Sequence, residues 1–114
     1  MKVLVCGDRH WDNYRKVLAR LSKLPADTHI ISGAAPGADT QAAAAAKELG
    51  FTLTEFPAQW ERYGRGAGPK RNLEMLAQDP GLVLAFHSNL SSSRGTAHTV
   101  RHALKRGIPT EVIE

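Results

Sequence analysis

Five short apolar runs alternate with segments of helical spacing, and this alternation restricts the fold more than any other feature of the chain. Lys2–Cys6 (KVLVC) stops at Gly7, Thr28–Ser32 (THIIS) at Gly33, and Phe51–Phe56 (FTLTEF) at Pro57. Leu82–Phe86 (LVLAF) follows the turn Asp79-Pro80-Gly81, and Ile108–Ile113 follows Gly107. Apolar runs bounded by such breakers read as strands. Between them, Asp12–Lys23 carries Tyr14, Val17, Leu18 and Leu21 at helical spacing and stops before Pro25. Ala38–Leu49 is a run of strong helix formers closed by Gly50. Arg71–Ala77 and Thr96–Arg106 are the other expected helices, the second capped by Gly107. Ala58–Lys70 reads as a long glycine-rich connection and Ser88–Arg94 as a polar loop.

Strands and helices in this order predict a parallel sheet covered on both faces. The expected architecture is one α/β domain over residues 1–114, a Rossmann-like three-layer sandwich with five parallel strands in the order 3-2-1-4-5. In such sheets ligands bind beyond the carboxyl ends of the strands, where the order reverses. That point falls between strands one and four. Gly7–Trp11, Gly33–Asp39 and His87–Thr96 are the loops expected to meet there.

Composition narrows the partners. Fifteen Lys and Arg stand against eleven Asp and Glu, a net charge of +4 with no block of like charges. That balance suits an anionic small molecule and permits nucleic acid without favouring it. One cysteine, Cys6, precludes an internal disulfide, which fits a cytoplasmic protein. MKVLVCG is too short for a signal peptide, and no apolar run approaches the roughly 20 residues that span a bilayer. No membrane partner is expected. His98 and His102 share a helical face but lack a third ligand at zinc spacing, so no metal or cofactor is expected. His87 ends the fourth strand beside the expected crevice without an identifiable partner.

Four segments could carry chemistry. In the first, Gly33, Ala34 and Gly37 lead to Asp39 in the first turn of a helix, where free amides and the helix dipole favour an anion. It is neither GxGxxG nor a P-loop. Asp39 either caps that helix or accepts hydrogen bonds from a ribose. The second runs from Gly64 to Asn72, with Gly68, Arg71 and Asn72 as candidate ligand contacts. Arginine offers a planar fork for phosphate. Trp60 and Tyr63, just upstream, either stack on a base or pack within the protein. The third is Ser91–Thr96, in which Ser93, Gly95 and Thr96 offer hydroxyls and amides at a helix start, with Thr96 as the expected N-cap. The fourth is Gly7-Asp8-Arg9 at the tip of the first strand.

Taken together, these segments resemble the YspA/YpsA-related group of the SLOG superfamily. The resemblance rests on Gly7-Asp8-Arg9 with Trp11 and Asp12, Ser32–Asp39, Phe56–Trp60, Gly64–Asn72 with Met75, and Arg94-Gly95-Thr96. It implies a Rossmann-like domain that binds a nucleotide or nucleotide-derived small molecule at its glycine-rich loops, as a sensor or regulatory module. The superfamily also includes the Lonely Guy phosphoribohydrolases, the DprA/Smf DNA-uptake proteins and predicted sensors of phage-related systems. The hydrolase motif PGGxGTxxE is matched only at Gly95-Thr96. Its glutamate falls on Thr99, and serines replace its first glycines. An N-glycosidase acting on a nucleoside 5′-monophosphate is therefore the alternative, and it would need its carboxylate from Asp8, Asp39 or Glu74. Single-stranded DNA binding is a minor alternative, resting on Arg62, Arg65, Lys70 and Arg71 near Trp60 and Tyr63. Superfamily relatives often dimerise, so a homo-oligomer is admissible.

Overall fold

Alternate side chains of the first strand enter two separate cores, and the layered fold follows from that. The computed structural model describes all residues, Met1–Glu114. In β1 (Lys2–Gly7), Val3 and Val5 join one apolar cluster while Leu4 and Cys6 join the other. A strand buried on both faces needs strand neighbours at both edges and a helical layer over each face. β1 pairs in parallel with β2 (His29–Ser32) and with β4 (Leu82–Phe86). β3 (Thr52–Glu55) extends the sheet beyond β2, and β5 (Thr110–Ile113) beyond β4. The order is β3-β2-β1-β4-β5, as the sequence predicts.

One face is covered by α1 (Tyr14–Leu21) and α2 (Ala38–Leu49), which add Val17, Leu21, Ala42, Ala45 and Ala46 to the cluster around Val3, Val5 and Phe86. Alanine on α2 lets this helix lie close to the sheet and to α1. The other face is covered by α4 (Ala67–Leu76) and α5 (Gly95–Lys105), which bring Met75, Leu76, Val100 and Ala103 against Leu4, Ile31 and Val83.

Four local expectations are overturned. Residues 58–70 are not an irregular connection: α3 (Trp60–Tyr63) and a 3-10 turn over Gly64–Gly66 lead directly into α4. α4 begins at Ala67, four residues before the expected start. Pro69 falls in its first turn, where the missing N–H would have had no helical acceptor. α1 starts at Tyr14 because the Asn13 side chain caps it, accepting from the Lys16 amide at 3.1 Å. Thr96 is not the cap of α5, which starts one residue earlier. The Ser93 hydroxyl instead accepts from the amides of Thr96 at 3.0 Å and Ala97 at 3.4 Å.

The entry to α2 is a tight point. Gly37 has φ +77° and ψ −121°, a region closed to other residues, and a Cβ there would stand 2.4 Å from the Arg9 carbonyl and the Asp8 oxygen. Gly50, at the C-terminus of α2, has the same φ but open space around it. Gly37→Ala is therefore expected to cost well over about 2 kcal/mol in urea unfolding, against about 1 kcal/mol for Gly50→Ala. Equal losses would show that the β1 loop does not press on Gly37.

Candidate functional site

The loops after β1, β2 and β4 converge where the strand order reverses, and they enclose a cavity of about 880 Å³. That is the size of an ordinary small-molecule site. Gly7, Asp8 and Arg9 line it from the β1 loop, and Gly33 and Ala34 from the β2 loop. Asp39 reaches it from the first turn of α2, and Arg71 and Asn72 from α4. Ser93, Gly95 and Thr96 line it from the start of α5.

The remaining candidates lie elsewhere. Gly37 is packed on the Asp8 and Arg9 backbone, and Gly68 lies beneath the Trp60 ring. Glu74 is exposed on α4, outside the cavity lining. It cannot supply the carboxylate of a glycosidase in this cavity.

Gly7, Gly33 and Gly37 serve the protein's own packing, whereas Gly95 has open space around it. A Cβ on Gly33 would meet the Arg71 guanidinium at 2.5 Å and the Asp39 carboxylate at 2.9 Å. One on Gly7 would meet the Phe86 carbonyl at 2.3 Å. In the β2 loop the left-handed backbone position falls on Ala34, with φ +57°.

Most of the buried polar side chains of the chain lie here: Asp39, Asn72, His87, Thr96 and Thr99. Asp39 is 6% exposed. Its Oδ2 accepts from the Ala35 amide at 3.2 Å, while Oδ1 has no partner. Gly37, not Asp39, occupies the cap position of α2. Burial pushes the Asp39 carboxyl up to about 6, with Glu55 adding to the effect, against the opposing pull of the Ala35 and Gly33 amides and of Arg71. Burial, reinforced by Asp39, also pushes the Cys6 thiol far up, so Cys6 lacks the thiolate of a nucleophile.

Arg71 is largely committed to the protein. Its Nη1 donates to the carbonyl of Gly33 and, at 3.3 Å, to that of Phe56, while Nε donates to Asn72 Oδ1 at 2.9 Å. It thus ties α4 to the ends of β2 and β3, with Nη2 left free of protein acceptors. Asn72 passes the link to α5, donating to the Gly95 carbonyl at 3.4 Å. In the β1 loop, Asp8 Oδ1 accepts from the His10 amide at 2.9 Å, and the Asp8 carbonyl accepts from Trp11 and Ala38. The chain's one salt bridge joins Arg20 and Glu111, far from the cavity. Arg9, Arg71 and Arg94 therefore line this cavity without a salt bridge to any carboxylate, although Arg71 lies near enough to Asp39 for their charges to interact.

Thr99 is buried in the lining and donates to the Gly95 carbonyl at 3.3 Å. His87 also lines the cavity, its Nδ1 accepting from the Asn89 amide at 3.0 Å. The His98 and His102 rings lie 4.4 Å apart on α5. Partial burial and the neighbouring His102 and Arg101 hold His98 towards its neutral form. Sequence reasoning left Met75, Pro57 and Ala58 out of the site. Met75 was recoverable, because it stands four residues after Arg71 on one helical face. Pro57 and Ala58 follow β3 at the sheet edge and have no chemical signature.

Asp39 gives the site a measurable pH signature. Its native pKa of about 6 lies above the ordinary 3.8, so the native state holds the proton longer than the unfolded chain. The stability this contributes is complete below 3.8 and is lost as pH rises through about 6. The loss should amount to roughly 3 kcal/mol. Urea titrations between about pH 4 and pH 7 should show this decline in the wild type and a much flatter profile in Asp39→Asn. Parallel profiles would mean that Asp39 titrates normally.

Comparisons with known proteins agree with this architecture. Residues 1–63 match the model of the YspA, cpYpsA-related SLOG family. The chain is 36% identical to Gene 61 protein of Mycobacterium phage D29, over 95% of its own length and 92% of the phage protein. Among solved structures it is similar to DNA processing protein A (DprA) from Streptococcus pneumoniae, with a TM-score of 0.75 and 23% identity. That likeness covers 99% of this chain and half of the DprA chain, and shows a shared fold. A family match over more than half the chain, lying on the β1 and β2 loops that build the cavity, shows that the chain belongs to the YspA, cpYpsA-related SLOG family.

Proposed function

We propose that the protein binds a nucleotide or nucleotide-derived ligand in the cavity at the β1–β4 switch point, as a sensor or regulatory module. The observation that carries this reading is that Arg9, Arg71 and Arg94 all line that cavity and none of them is salt-bridged to a carboxylate. Cations in that state attract a phosphate and form charge-assisted hydrogen bonds with it. Arg71 can offer Nη2 alone, whereas the exposed Arg9 and Arg94 are free to turn towards a ligand. At the start of α5 the Thr96 and Ala97 amides are taken by the Ser93 hydroxyl, which leaves the Gly95 amide as the backbone donor for an anion there. Asp39 Oδ1, buried and without a partner, is an acceptor suited to a ribose hydroxyl.

The glycosidase alternative now rests on Asp8 and Asp39. One of them would have to stabilise an oxocarbenium-like ribose while water is added and the free base leaves. Thr99, where related hydrolases carry glutamate, cannot take that part. A DNA-related role draws on the similarity to DNA processing protein A and on the exposed cations Arg62, Arg65 and Lys70, two of which lie over the Tyr63 ring. Those cations form a short track rather than a continuous groove.

A thermal-shift screen with nucleoside monophosphates, cyclic dinucleotides, NAD and ADP-ribose should show at least one stabilising ligand, because binding to the native state raises its apparent stability. For that ligand, Arg94→Ala should lower the calorimetric affinity by about 2 kcal/mol. Arg71→Ala should lower thermal stability as well, since it releases the Gly33 and Phe56 carbonyls. A screen without any shift would overturn the nucleotide reading. Free base released from a nucleoside monophosphate, detected by chromatography, would establish the glycosidase instead.

A further inference from the structure

Almost every aromatic ring in the chain has a partner. Trp11 packs on Phe86 with centroids 5.6 Å apart. The Tyr63 ring has the Arg62 guanidinium at 5.2 Å and the Lys70 ammonium at 4.9 Å. Tyr14 donates its hydroxyl to Glu48, and Phe51 and Phe56 pack against the two cores. Trp60 has none of these. No ring or cation lies over its indole, and its N–H has no acceptor in the protein. At 59% exposure it is the most exposed aromatic residue of the chain.

Trp60 is nevertheless well placed. It opens α3 and lines the cavity. Its six-membered ring rests on Gly68 of α4, with Cη2 only 3.3 Å from where a Cβ would stand. Gly68 has an ordinary helical backbone, so what its missing side chain provides is room for the indole. A large apolar surface is thus held at the wall of a polar cavity and left in water, which is unfavourable unless something covers it. The other walls carry Arg9 and Arg94, which suit a phosphate.

We infer that Trp60 is the base-stacking platform of this cavity, taking the planar face of a nucleobase while the arginines take the phosphate of the same ligand. This rests on the nucleotide reading above and narrows it: the ligand is recognised through its base as well as its phosphate. Stacking of this kind favours any planar base over a bare sugar phosphate.

Ribose 5-phosphate, which has the sugar and phosphate but no base, separates the two readings. Calorimetry would compare AMP, GMP, CMP, UMP and ribose 5-phosphate on the wild type, Trp60→Ala and Trp60→Phe. Trp60→Ala should weaken the best nucleotide by about tenfold or more and change ribose 5-phosphate by less than about twofold, with Trp60→Phe retaining most of the nucleotide affinity. Nucleotide binding should also quench indole emission in the wild type but not in Trp60→Phe, where only Trp11 emits. Trp60 belongs to neither core, so both variants should keep the wild-type melting temperature. Unchanged nucleotide affinity in Trp60→Ala would overturn the inference, and so would an equal loss for both probes. Sedimentation that shows Trp60→Ala dissociating a dimer, with nucleotide affinity unchanged, would assign the indole to a second copy of the chain. If the wild type binds ribose 5-phosphate as tightly as any nucleotide, the phosphate site stands and the platform falls. If it binds none of these probes, the nucleotide reading fails and the platform with it.

Discussion

Burial of β1 on both faces is the constraint on which the rest depends. Its side chains alternate between two cores, so α1 and α2 must cover one face and α4 and α5 the other. With both edges of β1 occupied, the chain runs outward through β2 and β3 on one side and β4 and β5 on the other. The reversal between β1 and β4 parts the loops at their carboxyl ends. The cavity is a consequence of that topology, and side chains that fill the sheet elsewhere leave it open here.

The cavity is kept open and polar at a cost in stability. Asp39 is buried with one oxygen unpaired, and burying a carboxylate without full compensation is unfavourable. Arg71 offsets part of this through its charge, yet its hydrogen bonds go to carbonyls of the β2 and β3 loops and to Asn72. One guanidinium thus fixes the positions of three elements around the carboxylate. The same commitment leaves only Nη2 of Arg71 without an acceptor, whereas the Arg9 and Arg94 side chains make no hydrogen bond within the protein.

Three glycines of the segments that look from the sequence like phosphate cradles are fixed by the protein's own packing. Gly7, Gly33 and Gly37 let the β1, β2 and α2 backbones and the Arg71 side chain come closer than a Cβ would allow. They shape the site by packing its walls together, and the helix-start amides of Ala38, Thr96 and Ala97 are engaged within the protein. Glycine composition signals close approach of a backbone, but it does not say whether the approaching atoms belong to a ligand or to the protein.

The sequence by itself determined the α/β class, the five strands, their order and the three loops at the switch point. Hydrophobic periodicity and breaker residues are local signals, and the strand order follows from the few connections that a parallel sheet permits. It also placed Asp8, Arg9, Asp39, Arg71 and Asn72 at one end of the sheet, because each adjoins a strand or helix terminus. Only the tertiary structure decided the roles within that end. Arg71 became a clamp, Gly37 a packing contact and Glu74 an outward-facing residue, while Trp60 was left uncovered at the cavity wall. It also turned residues 60–70 into helical turns, against their glycine content. The physical reason is the same in each case: a hydrogen-bond partner or a covering surface is supplied by segments distant in sequence, and no local pattern records which segment will arrive.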